Sequence, residues 1–330
     1  MKLKTDYFVN AVVYGRFNSI PPEEELRASC NRGVDELVKT MNYRWESGEN
    51  LDSVLCREFV REVRELQGLT SKSSLKKAME SVVYEYRAKN LALLFSGKML
   101  GLDWEEISSY FSPVDDLELL RAAYSMDSDT LLSSLSYEWR TAVKSGLEAY
   151  SEVGDLGLLE AAIYRSAMEM KYDLFAKSSG RGCKEYFEVV KADIDLRNVT
   201  ILLKGSELGA HRKTIMTNII RRGTLYPDVV EKCSSLRSAE AVLGVVREKL
   251  KFGEVSSQKI EELSIEMESR RRFILMRKLR PIIANPGYAV VPIAYLELKK
   301  VVSDVIRSVH SAIRNELSSD ECSSLCLPLL

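Results

Sequence analysis

The chain has 330 residues, 45% of them apolar, with only 8 prolines and 17 glycines, so it can bury a sizeable core, holds mass for two or three domains, and favours helix nearly throughout. Its 47 basic and 48 acidic residues leave a net charge of −1, and this absence of a basic excess gives nucleic-acid binding no support. No apolar run reaches the roughly 18 residues of a membrane span, and the opening MKLKTDYFVN lacks a signal-peptide core. A cytoplasmic chain is therefore expected, with its six cysteines (30, 56, 183, 233, 322 and 326) reduced and buried.

In chain order, Pro21 and Pro22 followed by Glu23, Glu24 and Glu25 mark a helix start. Val34, Leu37, Val38 and Met41 continue an apolar stripe. Asn50 is placed to cap a helix whose face is Leu55, Phe59, Val63 and Leu66 and which Gly68 closes. A polar break at Ser71–Ser74 leads to the stretch Glu85–Gly101. After Pro113, Leu117, Leu120 and Tyr124 form a short stripe, and Asp127–Thr130 caps the helix of Leu131, Leu132 and Leu135. Leu159, Ile163, Ala167, Met170 and Leu174 share a long face, Ser178–Gly182 is a turn, and Asp193–Gly209 follows. From Ile219 onward, Ala241, Val242, Val245, Val246 and Leu250 share a face. Ile260, Leu263, Met267, Phe273, Met276 and Leu279 give a long helix that Pro281 should end. Asn285-Pro286-Gly287 is a turn signal. Val290–Ile293 is β-prone, but Pro292 interrupts it, and the tail Glu321–Leu330 reads as loose.

An internal repeat organises these elements. Setting Asn90 under Asn198, an offset of 108, puts Glu85 on Asp193, Leu91 on Val199, Leu94 on Leu202, Gly97 on Gly205 and Gly101 on Gly209. A further slide of 107 puts Lys300 on Asp193, Val301 on Ile194, Ile306 on Val199 and Val309 on Leu202. The apolar column survives in this third copy. The polar one does not, because Val305 stands for Asn and Val302 for Asp195. Leu37–Trp45 and Leu132–Arg140 give a second match, a Leu-rich turn running into Tyr and then Trp. The expected fold is all-α, in three related helical domains over 1–110, 111–215 and 216–330.

Reactive chemistry finds little footing. Gly97-Lys98-Met99 lacks the upstream glycine and the hydroxyl of a phosphate loop. His211 and His310 lie in no catalytic motif. Cys322 and Cys326 have no further ligands clustered with them, and no metal or cofactor is expected. Asp193, Asp195 and Glu160 could in principle exchange protons, but helical acids are usually solvated or salt-bridged. Asp195 and Asn198 lie close to an apolar stripe and so are expected to tie neighbouring helices together. The clusters Arg221-Arg222, Arg270–Arg272 and Arg277-Lys278 with Arg280 read as solvated surface or as contacts for an acidic partner.

The chain resembles the C-type subunit of the archaeal or bacterial A/V-type rotary ATPase, the counterpart of the d-type subunit in the vacuolar enzyme. The residues that carry the resemblance are Asp193-Ile194-Asp195 with Asn198-Val199, Leu159-Glu160 with Tyr164, and Asn285-Pro286, Tyr295, Lys299, Ile306-Arg307 and Val309. Arg87, Lys300, Val302 and Val305 depart from it. The resemblance implies a funnel of three similar helical domains with pseudo-threefold arrangement; the internal alignment and the resemblance together give a repeat core of Glu85, Asn90, Asp193, Asp195, Asn198, Lys299 and Arg307. It also implies a non-catalytic role at the cytoplasmic face of a membrane, between the membrane rotor ring and central-shaft subunits of the D and F type. A general helical-repeat adaptor would instead stack into a superhelix with one continuous groove. An enzyme would gather titratable groups in a deep pocket.

Overall fold

Apolar residues at helical spacing, interrupted by short polar breaks, make helices that must bury one face against each other. The computed structural model of the chain describes residues 1–46, 49–250 and 260–326, and among them the fold is all-α. The first part holds α1 (Tyr7–Phe17), α2 (Glu23–Arg32), α3 (Asp35–Thr40), α4 (Leu51–Gly68), α5 (Ser73–Glu80) and α6 (Tyr84–Leu100). The middle holds α7 (Trp104–Ile107), α8 (Leu117–Ser125), α9 (Ser128–Ser134), α10 (Tyr137–Val153), α11 (Leu156–Ala176) and α12 (Cys183–Glu207). The last holds α13 (Arg212–Asn218), α14 (Asp228–Cys233), α15 (Ala239–Leu250), α16 (Ile260–Ile283), α17 (Val291–Arg314) and α18 (Ser319–Cys326). One isolated bridge pairs Lys2 with Ser179 among the described residues. No helix is long and apolar enough to cross a membrane among them.

Side-chain caps set several helix starts by accepting from otherwise orphaned backbone N–H groups. Asn50 Oδ1 accepts from Asp52 N at 2.9 Å and Ser53 N at 3.3 Å to open α4. Asp127 accepts from Thr130 N at 2.9 Å to open α9. Asp116 and Asp155 do the same for α8 and α11.

Four sequence expectations are corrected, one of them the loose tail, whose described part lies in the helix α18 (Ser319–Cys326). Pro281 does not end its helix, which runs on to Ile283. Proline forfeits one backbone bond within the last turn, and burial of Ile282 and Ile283 holds that turn in place. Leu37–Trp45 and Leu132–Arg140 do not share a structure: residues 43–46 are non-helical after α3, whereas Tyr137 opens α10. That match also runs at a different offset from the helix repeat. Fourth, the cysteines are not all reduced, since Cys30 and Cys322 form a disulfide across 292 positions. Packing of α18 against α2 brings the two together. Cys56, Cys183 and Cys233 are free and buried as expected. The β-prone Val290–Ile293 opens α17, with Pro292 in the first turn, where its missing N–H costs no bond. The side chains of Leu250, Ile260, Leu263 and Cys326, and all of 327–330, lie outside the described residues.

The buried side chains form three clusters. One joins α6 to α9, α10 and α11 through Leu91, Phe95, Leu131, Val143, Leu159 and Ile163. The second joins the C-terminal half of α12 to α13–α16 through Val199, Leu202, Ile215, Val230, Val242 and Met267. The largest joins α16, α17 and α18 to α1–α5 and to the adjoining parts of α11 and α12. Each cluster therefore stitches one stretch of sequence to another, and α11, α12 and α16 each contribute to two of them.

Candidate interaction cavity

The helices α6, α12 and α17 end alike. In α6, Leu102 N donates to Gly97 O at 3.0 Å and Gly101 N to Lys98 O at 3.2 Å. In α12, Ala210 N donates to Gly205 O at 2.9 Å and Gly209 N to Ser206 O at 3.2 Å. In α17, Leu317 N donates to Ala312 O and Glu316 N to Ile313 O, both at 3.1 Å. Each is a Schellman ending, which places one residue in the left-handed region. Those residues are Gly101 (φ 65°), Gly209 (φ 62°) and Glu316 (φ 56°), at the offsets of the sequence alignment. A short helix follows each: α7, α13 and α18 start at Trp104, Arg212 and Ser319, again in register. The preceding helices α4, α11 and α16 end at Gly68, Ala176 and Ile283, in register too.

The corner behind each ending is packed by a matched pair. A Cβ on Gly205 would lie 2.6 Å from Ile215 Cγ1, and one on Gly97 would lie 3.1 Å from Ile107 Cδ1. In the third helix the corresponding residues are Ala312 and Cys322, both buried. A larger residue on the helix there goes with a smaller one on the corner.

Asn90 and Asn198 make the same clasp. Asn90 Nδ2 donates to Ser112 O at 2.9 Å while its Oδ1 accepts from Ser112 N at 2.7 Å. Asn198 Nδ2 donates to Ile220 O and its Oδ1 accepts from Ile220 N, both at 2.9 Å. Both asparagines are fully buried, so each satisfies a backbone donor and acceptor that have no helical partner. Asp195 continues this in α12, accepting from Thr224 N at 2.8 Å, from Leu225 N at 3.0 Å and from the Thr224 hydroxyl. Burial pushes its carboxyl up, against the lowering effect of those donors. In α6 the polarity is inverted: Arg87 occupies the matching place and donates to Asp115 at 3.2 Å. In α17 the matching residue of the clasp, Val305, is buried in the largest core.

Side chains from α6, α12 and α17, with α4, α11 and α16, wall one cavity of about 1390 Å³. Its base is a buried ionic network. Arg197 Nη2 lies 3.1 Å from Glu85 Oε2, and its Nε lies 3.1 Å from Asp193 Oδ1. Arg271 Nη1 lies 2.6 Å from the same Asp193 oxygen, and its Nη2 2.6 Å from Glu268 Oε1. Lys300 Nζ pairs with Glu85, and Tyr164 OH donates to Glu85 Oε2 at 2.9 Å. The three residues aligned by the repeat, Glu85, Asp193 and Lys300, thus converge on one network. Burial alone would raise the Glu85 carboxyl, but Arg197 and Lys300 hold it well below the usual range. Burial likewise opposes, and Arg197 and Arg271 outweigh, in lowering Asp193. Glu268 is pulled down to about 2, Arg271 overcoming its burial.

The remaining expected site residues lie elsewhere. Lys299 is buried behind the cavity, donating to Met41 O at 2.9 Å, over the Tyr43 ring at 4.8 Å and 3.6 Å from Glu62. Arg307 sits on the cavity wall, 3.1 Å from Asp52 and 2.6 Å from Asp304. Arg270 and Arg271 are buried in ion pairs, not solvated as their cluster suggested. Arg222 pairs with Asp173 at 2.8 Å. His310 packs edge-on to Trp45, and His211 is exposed ahead of α13. Arg271 is the network residue least visible in the sequence; the one clue to it is its place within a helix whose neighbours Met267 and Phe273 face the core.

The network neutralises itself: Arg197, Arg271 and Lys300 are bonded to Glu85, Asp193 and Glu268. Among the described residues no group of three or more His, Cys, Asp or Glu is placed to hold a metal. What the arrangement supplies is a recess walled mainly by α4, α6, α11, α12, α16 and α17 and cross-linked by buried ion pairs. No curated protein matches the chain. The family model of the ATP synthase (C/AC39) subunit matches residues 10–325, so the chain belongs to that family, the C- or d-type subunits of the A/V-type ATP synthase.

Proposed function

We propose that the chain is the non-catalytic central-stalk piece of an A/V-type rotary ATPase. It acts as a socket on the cytoplasmic face that takes central-shaft subunits of the D and F type in its cavity and rides on the membrane rotor ring. In this reading three copies of one helical module surround the recess in pseudo-threefold fashion, over 1–110, 111–215 and 216–330. The shared ending of α6, α12 and α17 supports the triplication. The observation that carries the function is the cavity itself, walled by those three helices and locked at its base by Glu85, Arg197, Asp193, Arg271 and Lys300. A torque-passing part must not yield when pushed from within. Ion pairs linking α6, α12, α16 and α17 resist splaying, because separating them strands buried charge.

The test is purification of the tagged chain from native membranes. The proposal expects shaft and ring subunits to accompany it in fixed proportion. A folded chain recovered without either would overturn it, and a soluble complex with unrelated proteins would favour a general adaptor.

A further inference from the structure

We propose that the end of the molecule formed by the N-terminal segment, the α11–α12 turn and the start of α12 is a contact surface for anionic lipid headgroups. This goes beyond the socket reading, which needs only protein partners.

Several stretches meet there. Leu3 N donates to Ser179 O at 2.7 Å and Ser179 N to Met1 O at 2.8 Å, which lays residues 1–3 along the turn before α12. Thr5 Oγ1 donates to Gly287 O at 2.9 Å, and Ala289 N to Arg181 O at 2.9 Å, which adds the α16–α17 turn. The surface of this junction is basic. Lys2, Lys4, Lys177, Arg181 and Lys184 are all exposed and form no ion pair among the described residues. The nearby acids are engaged: Asp6 with Thr70, Val9 and Lys72, Asp173 with Arg222, and Glu185 with the Tyr288 hydroxyl. A local excess of cations is conspicuous in a chain of net charge −1.

Beside these cations stand two rings that the core does not take. Tyr7 and Phe8 open α1 at 66% and 61% exposure, while Val9 and Val13 turn inward. Consecutive residues on a helix point about 100° apart, so packing one pair of positions leaves the other to solvent. Exposed aromatics flanked by lysines suit a headgroup layer. The rings enter the apolar boundary, and long lysine stems lie along it with their ammonium groups on phosphate. A fluid lipid surface asks for no shape complementarity, only for charge and apolar area presented together.

The experiment is flotation of the full chain with large vesicles of phosphatidylcholine alone or mixed with phosphatidylserine. The expected result is binding to the anionic vesicles only, weakened by salt. The double variants Lys2→Glu/Lys4→Glu and Tyr7→Ser/Phe8→Ser should each reduce partitioning roughly tenfold or more. All four side chains are exposed, so folding is expected to persist and is checked by circular dichroism. No binding, equal binding to neutral vesicles, or unchanged binding of both variants would overturn the proposal. So would variants that lose shaft or ring subunits while still floating, which would mark the surface as a protein contact and leave the socket reading standing.

Discussion

Arg271 and Asp193 stand 2.6 Å apart with both side chains more than nine-tenths buried, joining α16 to α12 at the floor of the cavity. Removing Arg271 leaves Asp193 with Arg197 alone and Glu268 with Arg272 alone. Arg271→Met is therefore expected to cost about 3 kcal/mol, the low end for breaking a buried ion pair, read as a fall in urea midpoint. Asp193→Asn should cost less, because the amide oxygen can still accept from Arg197 or Arg271. The double variant Arg271→Met/Asp193→Asn should cost clearly less than the two single losses added together.

The asparagine clasps give an internal control. Asn90→Ala orphans the Ser112 N–H and C=O, whereas Asn198→Ala orphans the Ile220 N–H and leaves the Ile220 carbonyl with Arg222 N alone. Each should destabilise by about 1–3 kcal/mol. Val305→Asn should also destabilise, because Val305 sits in a fully apolar setting, and burying an amide there offers it no partner of the same kind. Equal and small effects at all three positions, measured by thermal denaturation, would show that the clasps do not hold the helix ends.

The packing pairs predict a rescue. Gly205→Ala puts a methyl 2.6 Å from Ile215 Cγ1 and should cost about 1–3 kcal/mol. Combining it with Ile215→Cys shortens the side chain the methyl would meet, matching the residue sizes of Ala312 and Cys322 though not the Cys322 disulfide, and should recover most of that loss in a double-mutant cycle. Additive losses would refute the match.

Acid should undo the network. Glu85, Asp193 and Glu268 have folded pKa values below their unfolded ones, Glu268 at about 2. For carboxylates shifted this way, the stability is fully present above the unfolded value and is lost as pH falls through the folded one. The midpoint of urea unfolding should therefore drop between the ordinary carboxylate range and pH near 2. It should be nearly flat from about pH 6 to 8 on account of these groups. The variant Glu268→Gln should show a shallower acid limb.

The disulfide predicts a covalent map. Non-reducing digestion should yield a peptide pair containing Cys30 and Cys322, and reduction should lower the melting temperature by releasing a constraint that spans 292 positions. Free thiol at both positions in the isolated chain would contradict this.

The sequence carried the fold because apolar periodicity survives divergence: Leu91, Val199 and Ile306 are all buried although their polar neighbours differ. It carried the need of Asn198 and Asp195 for partners, since polar residues near an apolar stripe must find them, but those partners are loop backbone at Ile220, Thr224 and Leu225 and not the neighbouring helices expected. It did not carry the Arg271 pairing. Arg270–Arg272 reads as a charged run, and only the packing of α16 against α12 brings Arg271 onto Asp193. Nor did it carry the disulfide, because spacing in sequence says nothing of two cysteines 292 apart, and the expectation of a cytoplasmic chain argues against one. The continuation of α16 past Pro281 was hidden for a related reason: local propensity was outweighed by tertiary burial of Ile282 and Ile283.

The central claim is that the cavity receives the shaft. Single cysteines introduced at Lys89, Lys204 and Arg314, each on the cavity wall, can carry a short photoreactive cross-linker in the assembled ATPase. The account predicts adducts with a central-shaft subunit from all three positions, and none from a control cysteine at Glu118 on the exposed side of α8. Adducts absent from the wall positions in an intact, turning complex would contradict it.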